Sequence, residues 1–281
     1  MTSINGSTDL KKINYSKIYH LIYSAQEGMS KQEIVRTAEL SLPTVTQNLL
    51  ELQKVGLVRD SGSIGNTGGR RARVFSVVKD AKLSIGLDID KTGVTAVLVD
   101  LKGNIVCKEQ KYIGFSQSDS YYRQIGEIVL QLIESAHVPA DKILGVGIGV
   151  PGLVTEDRER VFYGKILDFD GAICRDFSRY IPFPCRFYND AKAAGAAELW
   201  NRADLNNAFY VLLSDHVGGA VIHNHTVDLG EHTRAGEIGH LTIVPFGKRC
   251  YCGRMGCVES YCSASVLAEK ASGSLEGFFI F

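Results

Sequence analysis

Cys250, Cys252 and Cys257 fall within eight residues of the stretch GKRCYCGRMGCVESYC, and His240 precedes the first of them by ten residues. One imidazole nitrogen and three thiolate sulfurs make a donor set that suits a tetrahedral zinc ion. Gly253 and Gly256 break the loop where it must fold back over such an ion. Four protein donors leave no open coordination position, so the expected site is structural. The alternative is a cluster of free thiols. The chain has 7 cysteines, an odd number and clustered. In a reducing compartment that pattern favours metal or chemistry over a disulfide framework. Cys262 is expected to be a helical core thiol, and Cys107, Cys174 and Cys185 have no spacing that implies a role.

A second chemistry is suggested near the N-terminus. Ile18, Leu21, Ile22 and Ala25 recur at helical spacing, with Gly28 expected as the helix terminator. Ser30 and Glu33 have the spacing of a capping box, opening a short helix with Ile34, Val35 and Ala38 inward. After the turn ELSL, Pro43 is tolerated in the first turn of a third helix, whose inward face is Val45, Leu49 and Leu52 and which Gly56 closes. Pro43, Thr44, Thr46, Gln47 and Asn48 then form its outer N-terminal face, with side chains suited to base edges and phosphates in a major groove. LVRDSGSIGNTGGRRARVFSV follows as a strand, a glycine-rich loop and a strand, with Arg70, Arg71 and Arg73 at the loop's exit. Helix, helix, turn, helix and basic hairpin predict a winged helix-turn-helix over residues 1–80 that binds double-stranded DNA. A plain three-helix bundle is the blander alternative.

These elements sit in an ordinary globular composition, 45% hydrophobic and 22% charged, with zero net charge. The zero hides an asymmetry: residues 1–80 hold 11 basic against 7 acidic residues, and residues 81–281 hold 20 against 24. A basic head suits a polyanion. No stretch approaches a transmembrane helix and the N-terminus has no apolar signal core, so a cytoplasmic protein with no membrane partner is expected.

From residue 81 the pattern becomes α/β. LSIGLDID, GVTAVLVD and GNIVCKE read as three consecutive antiparallel strands, followed by a helix near 121–136 with Ile125, Ile128, Val129 and Leu132 inward. KILGVGIGVPG is a buried strand, CRFYND a strand leading into the helix AKAAGAAELW, and NAFYVLLS and GGAVIHN two more strands. Gly145, Gly147 and Gly149 do not form a dinucleotide loop, because Pro151 follows where a helix should open; close packing explains them better.

AGEIGH followed by CYCGRMGCVES, together with VGIGVPGLV and YNDAKAAGAAE, resembles the ROK family of bacterial sugar kinases and sugar-responsive repressors. The resemblance covers residues 81 to about 270, and the head before it, ending in GGRRARVFSV, is similar to the repressor branch, which includes xylose and N-acetylglucosamine repressors. It implies an actin-like, ribonuclease-H-type two-lobed domain over 81–281. It also implies that Asn189, Asp190, Glu237, His240 and Glu259 bind sugar hydroxyls, with His240 serving both zinc and sugar. Carboxylates and an amide suit hydroxyls that each donate and accept. Glu198 and Glu231 are expected on solvated faces.

In the family's kinases the counterpart of Asp190 acts as a base on the sugar hydroxyl; here it is expected to be vestigial, with no catalytic residue. The phosphate loop D-x-G-x-T reads DIDKT, with Asp88 and Thr92 kept but Asp90 in the glycine's place. Ser214, Asp215 and His216 replace the usual glycine- and threonine-rich run before Gly218 and Gly219. A charge where backbone must approach phosphate argues against nucleotide binding. The expectation is a non-enzymatic repressor of carbohydrate genes, acting as a homodimer or dimer of dimers on operator DNA with a small sugar as effector. The alternative is an ATP-dependent kinase of a hexose or N-acetylhexosamine. The resemblance also implies C-terminal helices beyond SGSLEGFFIF, so the sequence reads as C-terminally truncated, with Phe278, Phe279, Ile280 and Phe281 an uncovered apolar tail.

Overall fold

Ser30 and Glu33 do form a reciprocal cap: the Ser30 amide donates to Glu33 Oε2 at 2.7 Å and the Glu33 amide to Ser30 Oγ at 3.3 Å. The pair opens helix α2 (Lys31–Ala38), which follows α1 (Thr8–Ser24) and the two-residue strand β1 (Met29–Ser30). Ser41 Oγ accepts the Thr44 amide and opens α3 (Leu42–Lys54), with Pro43 in the first turn. Gly56, at φ +75°, closes it: its amide reaches Gln53 O and that of Leu57 reaches Leu52 O, both at 3.0 Å. Strands β2 (Val58–Ile64) and β3 (Ala72–Val77) pair antiparallel, and β1 adds to β3 with Met29 opposite Phe75. Ile18, Ile22, Ile34, Val45, Leu49 and Leu52 form the core of this unit with Val58 and Phe75.

This computed structural model describes residues 8–64, 72–202 and 204–270. The chain divides into one unit of residues 1–82 with Asp100–Lys102 and a second holding the rest. Arg70, Arg71 and the apolar tail Phe278–Phe281 lie outside the described residues. Among those described, no helix is long and apolar enough to cross a membrane.

Two expectations for the first unit are corrected. Gly28 does not terminate α1, which ends four residues earlier at Ser24. It sits at φ +82°, and a Cβ there would lie 2.5 Å from Phe75 O, so close backbone approach is what requires glycine. Asn48 is not on the outer face of α3. It is 3% exposed, its Nδ2 donates to Thr44 O at 2.8 Å, and its Oδ1 is buried without a partner. Three residues after Val45, it belongs to the inward stripe despite its polarity.

The second unit is built on a five-stranded sheet in the order β10-β7-β4-β5-β6, from β4 (Leu83–Ile89), β5 (Val94–Asp100), β6 (Ile105–Lys111), β7 (Ile143–Val150) and β10 (Cys185–Asn189). β10, β7 and β4 run parallel and β5 pairs antiparallel with β6. Helix α4 (Asp119–Ser135) buries Tyr122, Ile125, Val129 and Leu132 in the same core as β4 and β7. The small pair β8 (Leu153–Val154) and β9 (Val161–Tyr163) follows β7, and the one-turn helix α5 (Cys174–Phe177) precedes β10. Gly145 has the packing role expected of it: a Cβ would sit 2.9 Å from Pro184 O.

β10 runs directly into α6 (Asp190–Asn201), as the pattern predicts. A second sheet, β11 (Ala208–Leu213), β12 (Val217–His223) and β13 (Thr226–Asp228), lies against α6. The small residues of α6 permit this, since a Cβ on Gly195 would meet that of Ala220 at 2.8 Å. The chain then forms a loop, α7 (Glu259–Cys262) and α8 (Ala264–Lys270).

Phe169, Phe177 and Phe187 stack edge-on beneath the end of β10, with the Phe187 ring 5.7 Å from each of the others. Phe187 is fully buried two residues before Asn189. Phe187→Ala is expected to cost about 3–5 kcal/mol. Phe162→Ala, at a partly exposed site, should cost far less; chemical denaturation of the two variants checks this.

Candidate functional site

The ligand atoms of His240, Cys250, Cys252 and Cys257 all lie within 4.8 Å of one another. His240 ends the short turn Ile238–His240, and the cysteines sit on the loop that follows. The loop is closed by backbone bonds from Cys250 N to Arg254 O at 2.8 Å and from Gly253 N to Cys250 O at 3.0 Å. Gly256, at φ +77°, passes so close to Val244 that a Cβ would lie 1.7 Å from its carbonyl oxygen. No other residue type fits there. His240 Nδ1 faces Cys250 Sγ at 3.7 Å, and Cys252 Sγ faces Cys257 Sγ at 3.7 Å. Converged thiols and an imidazole, with Cys250 and Cys257 buried, can hold a metal ion.

Cys262 is exposed, contrary to the expected core position: the helix it ends is a single turn that buries Glu259 instead. Cys174 and Cys185 are buried, and burial pushes the Cys174 thiol up to about 12. Neither is a nucleophile at neutral pH.

Beside the metal-ligand group lies a narrow pocket of about 50 Å³. Asn189, Asp190, Glu237 and His240, four of the five expected sugar ligands, line it. Asn189 caps α6 by accepting the Lys192 amide at 3.0 Å and donates Nδ2 to Gly152 O at 3.1 Å. Asp190 Oδ1 accepts the Ala191 amide at 2.7 Å. Burial, with the Asp88 and Glu237 carboxylates adding to it, pushes the Asp190 carboxyl up to about 6. Lys192 is buried, donating to Thr233 O at 2.8 Å and standing 3.5 Å from Glu237 Oε1.

The fifth expected ligand, Glu259, is not among the lining residues. It is 5% exposed, and its carboxylate accepts the Val217 amide at 2.7 Å and meets His216 Nδ1 at 3.1 Å. Its partner His216 does line the pocket.

His216 and Tyr251 are pocket residues that sequence reasoning missed. Tyr251 carried a signal: it lies between Cys250 and Cys252, so it must form part of the loop's wall. Its hydroxyl meets His240 Nε2 at 3.2 Å. His240 thus turns one nitrogen to the thiols and the other to the pocket side. Nothing near His216 in the sequence announces its pairing with a residue 43 positions away. Glu198 and Glu231 are exposed, as expected.

A larger cavity of about 890 Å³ adjoins this pocket and shares Asp190 and His216 with it. Apolar residues such as Leu87, Ile89 and Val97 line it, with Asp88, Asp90, Lys91 and Asp215. One oxygen of Asp90 accepts three donors of its own loop: the Thr92 amide at 2.6 Å, the Thr92 hydroxyl at 2.7 Å and the Gly93 amide at 2.8 Å.

In the first unit, Pro43 and Gln47 are exposed and Thr44 and Thr46 half-buried on α3. Arg73 is exposed and lies 3.6 Å from Asp60.

The raised carboxyl of Asp190 has a stability consequence. The native state retains its proton while the unfolded chain loses it, so stability falls as pH rises from about 4 to about 6. Asp190→Asn should match the parent near pH 4 and exceed it by roughly 2–3 kcal/mol at pH 7. Thermal unfolding across pH checks this.

The profile of the ROK family matches residues 84–278. The transcriptional dual regulator NagC of Escherichia coli K12 is 24% identical over 278 residues, covering 96% of this chain and 68% of that protein. The xylose repressor of Bacillus subtilis 168 is 28% identical over 277 residues, covering 95% and 70%. The chain therefore spans about two thirds of the length of these relatives. A ROK family transcriptional regulator, homologous to the E. coli MLC protein, superposes with a TM-score of 0.75 at 21% identity, over 94% of this chain and 67% of that one. This likeness shows the fold. A ROK glucokinase from Streptomyces griseus, solved with glucose and AMPPNP, superposes with a TM-score of 0.56 at 26% identity, over 70% and 68%. The metal-ligand group and both cavities fall within the matched span, and the chain belongs to the ROK family.

Proposed function

We propose that the chain is a sugar-responsive transcriptional repressor of carbohydrate genes. One observation carries the choice of sensor over kinase: a pocket lined by Asn189, Asp190, Glu237 and His240 adjoins a larger cavity in whose wall Asp90 takes the Thr92 amide and hydroxyl and the Gly93 amide. In a nucleotide site, such backbone amides and hydroxyls would bind phosphate. Here a carboxylate occupies them, and Asp88 and Asp215 line the same cavity. Asp190 keeps a sugar-facing place without a phosphoryl donor to work with. The repressor names of the two relatives support the same reading.

The first unit is read as a winged helix-turn-helix. The α2–α3 pair with its tight turn at Glu39, and the β2–β3 hairpin after α3, support it. Pro43, Thr44, Thr46 and Gln47 on α3 are the proposed groove-reading face, joined by Arg70 and Arg71, which fall between β2 and β3 in the sequence. Asn48 is excluded by its burial. A homodimer or dimer of dimers on a palindromic operator, in the cytoplasm, completes the reading. Sugar binding shifts the population away from the DNA-bound state.

Zinc is the proposed occupant of the thiol group, held by His240, Cys250, Cys252 and Cys257. It would supply structural closure of the loop. His240 and Tyr251 would then be fixed at the pocket wall by their neighbours in the loop.

Three measurements bear on this reading. Affinity selection of fragmented genomic DNA by the purified protein should enrich one promoter region, released by one sugar of a panel. Failure of every sugar to change operator affinity would contradict the reading. Gln47→Ala should weaken operator binding by about 1–3 kcal/mol without altering the unfolding temperature. Metal analysis should find one zinc per chain, lost in Cys257→Ser together with sugar binding. Retention of both would contradict the role given to the loop.

A further inference from the structure

A lysine in the first turn of a helix is normally left in water, but Lys192, two residues after Asp190 on α6, is 7% exposed. A buried ammonium is costly unless its protons are used. Its Nζ donates to Thr233 O at 2.8 Å and reaches Glu237 Oε1 at 3.5 Å. Both partners lie on the segment between β13 and the turn that carries His240. Glu237 lines the narrow pocket, and its second oxygen, Oε2, has no hydrogen-bond partner among the described residues. Thr233 is held under strain. It is β-branched yet left-handed at φ +58°, directly after His232 at φ +58°. Such a conformation persists only where the surroundings fix it. Both polar groups of Thr233 are engaged: Lys192 holds the carbonyl, and the hydroxyl donates to Val154 O at 3.0 Å. Beyond it, Gly236 is clamped, since a Cβ there would lie 2.4 Å from Gly219 O. Glu237 is thus carried on a strained segment fixed at Lys192, Val154 and Gly219.

We infer that Lys192 is a positioning residue of the pocket: its buried ammonium holds one oxygen of Glu237 and the Thr233 carbonyl, so that the other Glu237 oxygen stays turned to the ligand. This rests on the sugar-sensing reading and deepens it. Lys192 is not among the lining residues and acts through Glu237. Its charge offsets the two carboxylates, Asp190 and Glu237, that the pocket brings together. Without it, Glu237 gains by turning out to water. With it, Oε1 remains on the ammonium while Oε2 accepts a hydrogen bond from a ligand hydroxyl.

The test uses the zinc-loaded full chain, with glucose, N-acetylglucosamine, mannose and xylose as probes, and the variants Lys192→Met, Glu237→Gln and the two combined. Methionine keeps the apolar stem and removes the charge. Calorimetric titration of the parent finds a sugar that binds, and Lys192→Met should bind it about tenfold more weakly or worse. In the Glu237→Gln background, with no carboxylate to hold, the same change should alter affinity by less than about threefold. Urea denaturation gives a second reading without ligand. Lys192→Met alone should unfold at lower urea or fail to fold, and adding Glu237→Gln should restore part of the loss by removing the unpaired carboxylate. Where Glu237→Gln binds too weakly to titrate, the urea comparison decides. Unchanged affinity in Lys192→Met, equal losses in both backgrounds, or a double variant no more stable than Lys192→Met would overturn the inference and leave the sugar-sensing reading standing. Failure of every sugar to bind the parent would overturn both.

Discussion

A single buried carboxylate, Glu259, joins the parts of the site. It begins the helix that follows the cysteine loop, and its oxygens take the Val217 amide at the start of β12 and His216 on the turn before it. A Cβ on Gly239, next to His240, would lie 3.3 Å from one of those oxygens, so the turn carrying the imidazole ligand packs against the same group. Three segments distant in sequence meet on one side chain. A buried charge with an amide and an imidazole as partners is stable; the same charge without them is costly. Replacing it would loosen the loop, the turn and the pocket wall together.

From this pin the organisation of the site follows. The cysteine loop sets His240 and Tyr251, the β11–β12 turn sets His216, and the β10–α6 junction sets Asn189 and Asp190. The junction is rigid because Phe187 is locked in an aromatic cluster and Asn189 caps the helix. The site is thus held by packed elements and by a loop with its own closing group, as precise recognition of hydroxyls requires. Carboxylates dominate it. Burial first, and neighbouring carboxylates after it, raise the carboxyls of both Asp190 and Asp88.

Much of this was legible in the sequence, for identifiable reasons. Metal ligands of restricted type, close along the chain, announce themselves. The Ser30–Glu33 cap and the strand-to-helix passage into Asp190 are local and were equally readable. What escaped depended on contacts between distant residues. Asn48 was assigned by its polarity, although its spacing from Val45 and Leu52 put it on the buried stripe. Gly28 was assigned to a helix end, although the need for glycine comes from Phe75 across the sheet. For Glu259 the resemblance supplies the expected role, and its contact with His216, 43 residues upstream, is not written in the local sequence. Asp90 was read as an obstacle to phosphate. Its capture of the loop's own donors depends on side-chain geometry that a sequence does not state.

In the proposed reading the cleft senses a sugar without phosphorylating it. The most direct measurement is phosphorus NMR of the zinc-loaded chain with magnesium ATP and whichever sugar raises its unfolding temperature. The sugar should stabilise the protein while no sugar phosphate accumulates above the protein-free control. Steady formation of a sugar phosphate, abolished by Asp190→Asn, would contradict it and make the chain a working kinase.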